Sequence, residues 1–167
     1  MSEGIPAQDE RRFAAFLLAT IVGDDVGSRF FWELVDKALA ETATMQFGPM
    51  DGTGTFCSYI LCAKNNVKRV LDIVRGIFSS LIEHGVTEEE LKKAKNKILS
   101  ALVLKNEIPM GRLADLGSNW IYLSKYRTVE EDVAAIKTVT VEDIHSLAKQ
   151  LKPSEFTQFS LGPDKQD

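Results

Sequence analysis

Two periodicities alternate along this chain. Phe13, Phe16, Leu17 and Ile21 recur at helical spacing, with Thr20 on the same side, and predict a helix from near Asp9 to Gly23. Asp24 or Asp25 is placed to cap a second helix, about Val26 to Leu39, with Phe30, Phe31, Leu34, Val35 and Ala38 as its apolar positions. The period then falls to two. Glu41 to Phe47 alternates and reads as a strand, Gly48-Pro49-Met50-Asp51-Gly52 is turn chemistry, and Thr53 to Ala63 is a second strand rich in β-branched and aromatic residues. The two strands predict an antiparallel hairpin.

Helical spacing returns after the hairpin. Asn66 to Glu83 carries a stripe of Val67, Val70, Leu71, Val74, Ile77, Phe78, Leu81 and Ile82, ended by His84-Gly85. Thr87 and Glu90 form a capping box that opens a helix running to about Asn106, where Ile108-Pro109 breaks it. Further helices are predicted from Met110 to about Lys125, from the capping box at Thr128 and Glu131 to Lys137, and from Thr140 to about Leu151. Phe156 to Leu161 reads as a closing strand. Residues 1–8 are expected to be a disordered lead-in, 9–162 one domain, and 163–167 a loose tail. The resulting order is α-α-β-β-α-α-α-α-α-β, an α+β fold with helices packed on one face of an antiparallel sheet.

Composition narrows the function classes. The 167 residues carry a net charge of −4 and are 44% hydrophobic, which suits one soluble globular domain. An acidic balance argues against nucleic-acid binding, and no apolar run approaches the ~18 residues of a membrane span. The polar start MSEGIPAQDERRF contains no export signal, so the compartment, cytoplasmic or periplasmic, is left open. Cys57 and Cys62 lie at an odd offset in a predicted strand, on opposite faces and too far apart to bridge.

Candidate chemistry is sparse. His84 and His145 are far apart, and each stands alone, whereas zinc wants about four clustered ligands. Ser118 sits inside a predicted helix and lacks the G-x-S-x-G elbow of a nucleophile. Gly52-Thr53-Gly54 lacks the lysine and following helix of a phosphate loop. Lys92, Lys93, Lys95 and Lys97 are balanced by Glu88, Glu89 and Glu90 and read as a solvated helix face. The sequence therefore assigns no catalytic residue and no metal ligand.

Three segments carry a family resemblance. Ser28-Arg29-Phe30-Phe31 within GDDVGSRFFWELVDKALAETATMQF resembles the S-R-L-F signature of the pitrilysin/insulinase-type zinc peptidases, which include the mitochondrial processing peptidases. Gly85 to Lys95, GVTEEELKKAK, is similar to that family's G-v-t-e-e-E-L-x-x-A-K. Thr138 to Ile144, TVTVEDI, is similar to its V-T-x-e-d-v. The resemblance covers about Asp9 to Leu161. It implies the C-terminal, non-catalytic domain of a two-domain peptidase half, because the family's H-x-x-E-H zinc motif is absent from these residues. The catalytic N-terminal domain would be the partner and would hold zinc with a glutamate general base. This domain would complete a chamber for the peptide substrate.

The resemblance also implies where that partner or the peptide would be met: Ser28, Arg29, Trp32 and Glu41 are the candidates. The family often carries an arginine and a tyrosine that reach substrate, and here those positions hold Val35 and Thr42, which donate neither guanidinium nor phenol hydrogen bonds. A zinc-free scaffold or assembly subunit of the same fold is the alternative. The family's first strand is expected to be missing, since MSEGIPAQ is short and polar. That would leave an open sheet edge, apolar side chains such as Phe13 and Phe16 uncovered, and a route to self-association.

Overall fold

The structure is a computed structural model that describes residues 1–162. The most apolar segment of the sequence, RFAAFLLATIVG, forms α1 (Arg12–Gly23) and is buried on nearly every side at Ala14, Ala15, Leu17, Leu18, Ala19, Ile21 and Val22. A helix that is apolar all round must be enclosed, and this one is. One side packs on a three-stranded antiparallel sheet, and another on α3 (Glu88–Glu107), α5 (Val129–Thr138) and α6 (Val141–Ala148). The architecture is α+β, with the helices on one face of the sheet, as the hydrophobic pattern predicts.

The sheet order is β1-β3-β2, with β1 at Ser2–Gly4, β2 at Thr42–Met50 and β3 at Thr53–Leu61. The β2–β3 hairpin pairs Thr42 with Leu61 through Met50 with Thr53, and Gly52 turns it at φ 64°. Ala43, Met45, Phe47 and Phe56 point inward against α1, where Phe47 meets Phe16 edge-on at 5.0 Å. The opposite face carries Thr44, Gln46, Cys57 and Tyr59. Both cysteines are free, Cys57 in β3 and Cys62 just past its end.

Helix α2 (Val67–His84) buries Val70, Ile77, Phe78 and Leu81. The two predicted capping boxes are formed at Thr87/Glu90 and Thr128/Glu131, and the helix start predicted at Thr140 is a third, Thr140/Asp143, each with the threonine side chain accepting from the third helical N–H. Helix α4 (Pro109–Leu123) starts on proline, where the missing N–H costs nothing.

Four expectations are corrected. The lead-in is not disordered. Residues 2–4 form β1, paired with Phe56 to Gly54, and Ile5 and Ala7 are buried behind it, with Ala7 N–H donating to the Met50 carbonyl at 3.0 Å. Two apolar side chains among polar neighbours are enough once Gly54 lets the Ile5 carbonyl approach. The sheet therefore has a first strand, and Phe13 and Phe16 are half-buried against the core. The closing strand at Phe156–Leu161 is not formed. Its alternation breaks between Phe156 and Phe159, so no face stays apolar; Phe156 packs edge-on to Phe78 while Phe159 and Leu161 are exposed. Thr157 exchanges two backbone hydrogen bonds with Met1, at 2.8 and 3.0 Å, and pairing stops there. The second helix is shorter than Val26–Leu39: it starts at Arg29 and becomes a π-helix over Phe31–Val35. Its cap is Ser28 rather than Asp24 or Asp25. The loose tail proposed for 163–167 lies outside the described residues.

Candidate functional site

The segment from Ser28 to Thr42 is the part of the fold with irregular, specified backbone. Ser28 is buried, donating its hydroxyl to the Asp24 carbonyl at 2.6 Å and accepting from Phe31 N–H at 3.1 Å. It is thus the N-cap of the turn that follows. Asp36 N–H reaches back to the Phe31 carbonyl at 2.8 Å, and Leu39 N–H to that of Leu34 at 2.9 Å, five residues each, the spacing of a π-turn. Ala38 then takes a left-handed conformation, φ 53°, and the chain enters β2.

Arg29 braces this turn from behind. Its guanidinium donates to both carboxylate oxygens of Glu90, and Nη2 also donates to the Gly85 carbonyl at 2.8 Å. Glu90 simultaneously accepts from Thr87 N–H at 2.8 Å in the capping box. Burial pushes the Glu90 carboxyl up, but the Arg29 guanidinium and Thr87 N–H outweigh it and hold its pKa below the ordinary glutamate value.

The four residues singled out by the sequence separate into two pairs. Ser28 and Arg29 turn inward and hold the segment. Trp32 and Glu41 face solvent. Trp32 is 53% exposed, its ring edge-on to Phe31 at 5.0 Å, and Glu41 lies at the mouth of β2, its N–H donating to the Leu61 carbonyl at 2.8 Å. Val35 ends the π-turn and packs against the core; Thr42 opens β2 opposite Leu61. The π-turn itself was not legible in the helical pattern, because a single inserted residue leaves apolar spacing almost unchanged. The pairing of Arg29 with Glu90 joins two of the motifs that carry the family resemblance, a signal that was present in the sequence.

The chemistry of the donor set does not fit zinc. Among the described residues no group of three or more His, Cys, Asp or Glu side chains could hold a metal ion. His145 Nε2 is engaged with the Ile82 carbonyl at 2.9 Å, and its ring packs on Gly85, whose φ of 74° and tight contact leave no room for a side chain. His84 is exposed beside Glu83. Ser118 is exposed on α4 without a base. Surface depressions over α2 and beside β2 are open rather than enclosed. No helix of the described residues is long and apolar enough to cross a membrane.

Comparison with known proteins agrees with the fold and with this sparse chemistry. The family model described as "Peptidase M16 inactive domain" matches residues 2–98, more than half of the chain. An uncharacterized zinc protease of Mycobacterium tuberculosis is 28% identical over 155 residues, covering 92% of this chain and 35% of that protein. The crystal structure of a peptidase M16 inactive domain from Pseudomonas fluorescens superposes with a TM-score of 0.80 at 22% identity, over 90% of this chain and 37% of that one. A chain of complex III2 from Candida albicans superposes with a TM-score of 0.79 at 15% identity, over 88% of this chain and 37% of that one, a likeness of fold alone. The chain spans about a third of the length of the curated relatives it matches.

Proposed function

The chain belongs to the peptidase M16 inactive-domain family, and from that premise we propose that it is the C-terminal, non-catalytic domain of a zinc peptidase, closing a peptide-binding chamber opposite a zinc-bearing domain. The observation that carries this is the braced segment from Ser28 to Thr42. Irregular helical turns and left-handed non-glycine residues cost free energy and persist where the surroundings hold them. Here the Arg29–Glu90 pair anchors the start of the segment, and the product is a rim that presents Trp32 and Glu41 to whatever lies across it.

Zinc chemistry is assigned to the partner domain, since no donor set among the described residues fits the metal. The role left to this chain is to orient an extended peptide and exclude water around it, with Trp32 giving a flat apolar contact and Glu41 a charged one. The names of the relatives, zinc proteases, support the parent activity.

A second reading is favoured by one observation. Val35 and Thr42 stand where the resemblance places a substrate-reaching arginine and tyrosine, and Val35 packs, half-buried, against the core. A zinc-free scaffold of the same fold needs neither.

One experiment separates the two. The full reading frame that contains this chain is purified alongside the 167-residue chain, and both are assayed for zinc and for hydrolysis of an unstructured peptide library. The peptidase reading expects about one zinc per chain and chelator-sensitive hydrolysis in the long form, neither in the short form, and a several-fold rise in KM on Trp32→Ala. A long form without zinc or hydrolysis establishes the scaffold. Hydrolysis by the short form that survives repurification overturns both.

A further inference from the structure

Helix α4 turns a mixed face inward and an apolar one outward. Its half-buried side carries Arg112, Asp115 and Asn119 along with Leu116, Tyr122 and Leu123. Polar contacts fasten it to the end of α3: Lys105 and Asn106 both donate to Asp115, at 2.5 and 3.4 Å, and Arg112 donates to Asn106 at 3.2 Å. Met110, Leu113, Trp120 and Ile121 fall within an arc of roughly 100° at 3.6 residues per turn, and this is the side that faces water. Leu104 and Ile108 continue it across the α3–α4 junction. These six side chains are between 59% and 75% exposed.

No residue of α4 is buried, and its only substantial neighbour among the described elements is α3. An ordinary surface helix puts its apolar stripe inward. Six large apolar side chains exposed on one face are the kind of patch that marks a docking surface.

We propose that this face is the seat of the remainder of the parent polypeptide, the zinc-bearing domain, and so an intramolecular interface. The assignment rests on the reading of the chain as one domain of a two-domain peptidase. Length argues for that occupant over a second copy. The curated relatives are nearly three times as long as the part this chain matches, 35% of their length, and a tethered remainder of that size sits at high effective concentration. A second copy would have to compete with a tethered neighbour.

The test uses the full reading frame with a photo-crosslinking benzophenone amino acid at position 113 or 121, and at position 68 on α2 as control. Crosslinks from 113 and 121 to peptides outside these 167 residues, at monomer mass, with none from 68, support the assignment. Crosslinks to a second copy, or to no polypeptide at all, overturn it. A paired variant, Leu113→Glu with Ile121→Glu, leaves the thermal midpoint of the 167-residue chain unchanged, because both side chains are already in water. In the full protein it speeds limited proteolysis between the domains by at least tenfold. A loss of midpoint in the short chain, or unchanged proteolysis in the long one, counts against the proposal. Zinc content and peptide hydrolysis of the same preparation are read separately. A zinc-free, inactive long form sinks the peptidase reading, while the crosslink pattern still decides where the covering domain sits.

Discussion

Arg29 holds Glu90 with two nitrogens, Nε to Oε1 at 2.8 Å and Nη2 to Oε2 at 3.0 Å, across 61 residues of sequence. The pair is largely shielded, with side chains 19% and 29% exposed, and it ties the π-turn to the start of α3. A bidentate, partly buried pair is worth more than a surface one, and removing one partner strands the other. Glu90→Gln is therefore expected to cost about 2 kcal/mol at pH 7, several degrees in thermal midpoint for a chain of this size. The sign with pH follows from the lowered pKa of Glu90. The pair's contribution is fully present above the ordinary glutamate value of 4.5 and disappears as pH falls through the lower folded value. Urea denaturation of both proteins from pH 7 to pH 3 checks it. A gap that stays constant below pH 4 would show that the carboxylate charge is not what Glu90 contributes.

Where the sequence pattern was sufficient, each level agreed with the next. Thr87, Thr128 and Thr140 announced three helix starts, two of them as capping boxes, and the alternation of Ala43, Met45 and Phe47 fixed which face of β2 is buried. The failures share a physical cause: tertiary contact decided what local pattern left open. Ile5 and Ala7 are too few to signal a strand, and β1 exists because Gly54 lets it approach. At the candidate site the sequence could not tell an outward side chain from a bracing one: Trp32 and Glu41 are exposed, whereas Ser28 and Arg29 serve the backbone and Glu90.

Ala38 sits at φ 53°, a conformation that crowds its Cβ against the following carbonyl. The penalty is about 1–2 kcal/mol for a non-glycine residue, and glycine escapes it at a smaller cost in unfolded-state entropy. Ala38→Gly is expected to stabilise the fold by about 0.5–1 kcal/mol, read as a shift in urea midpoint at constant slope. A loss instead would mean that the Ala38 methyl contributes packing larger than the strain.

Gly54 tests the first strand. A Cβ there would sit 2.0 Å from the Ile5 carbonyl oxygen, so Gly54→Ala must push β1 off β3. The expected cost is about 1–3 kcal/mol, with faster amide exchange at Gly4, Ile5 and Ala7 as the Ile5 and Ala7 side chains lose their cover. Gly117→Ala is the control: it lies in α4 with nothing within 4 Å of the added carbon, and relief of glycine's helix penalty should raise stability by up to about 1 kcal/mol. Unchanged exchange in the Gly54 variant would mean that β1 is not a stable part of the sheet.

Besides the outer side of the edge strand β2, part of β3 is left without a partner strand among the described residues. Strand β1 covers it only from Gly54 to Phe56, and among the described residues no strand lies on that side of Cys57 to Leu61, although β2 pairs with all of it on the other side. Tyr59, 61% exposed, and Leu61, 45% exposed, give this open stretch β-favouring side chains and no charge. Such an edge is a template for a matching strand, and proteins ordinarily blunt it with charges. The isolated chain is therefore expected to associate as its concentration rises, seen as growing weight-average mass in light scattering. Tyr59→Lys with Leu61→Lys should return it to monomer, because two lysines on an added strand would face their own copies. Leu113→Glu on α4 separates the two apolar surfaces: if it alone abolishes association, the contact lies on α4 rather than the sheet edge. A wild-type chain that stays monomeric across the whole range would show that the open half of β3 is too short to recruit a partner.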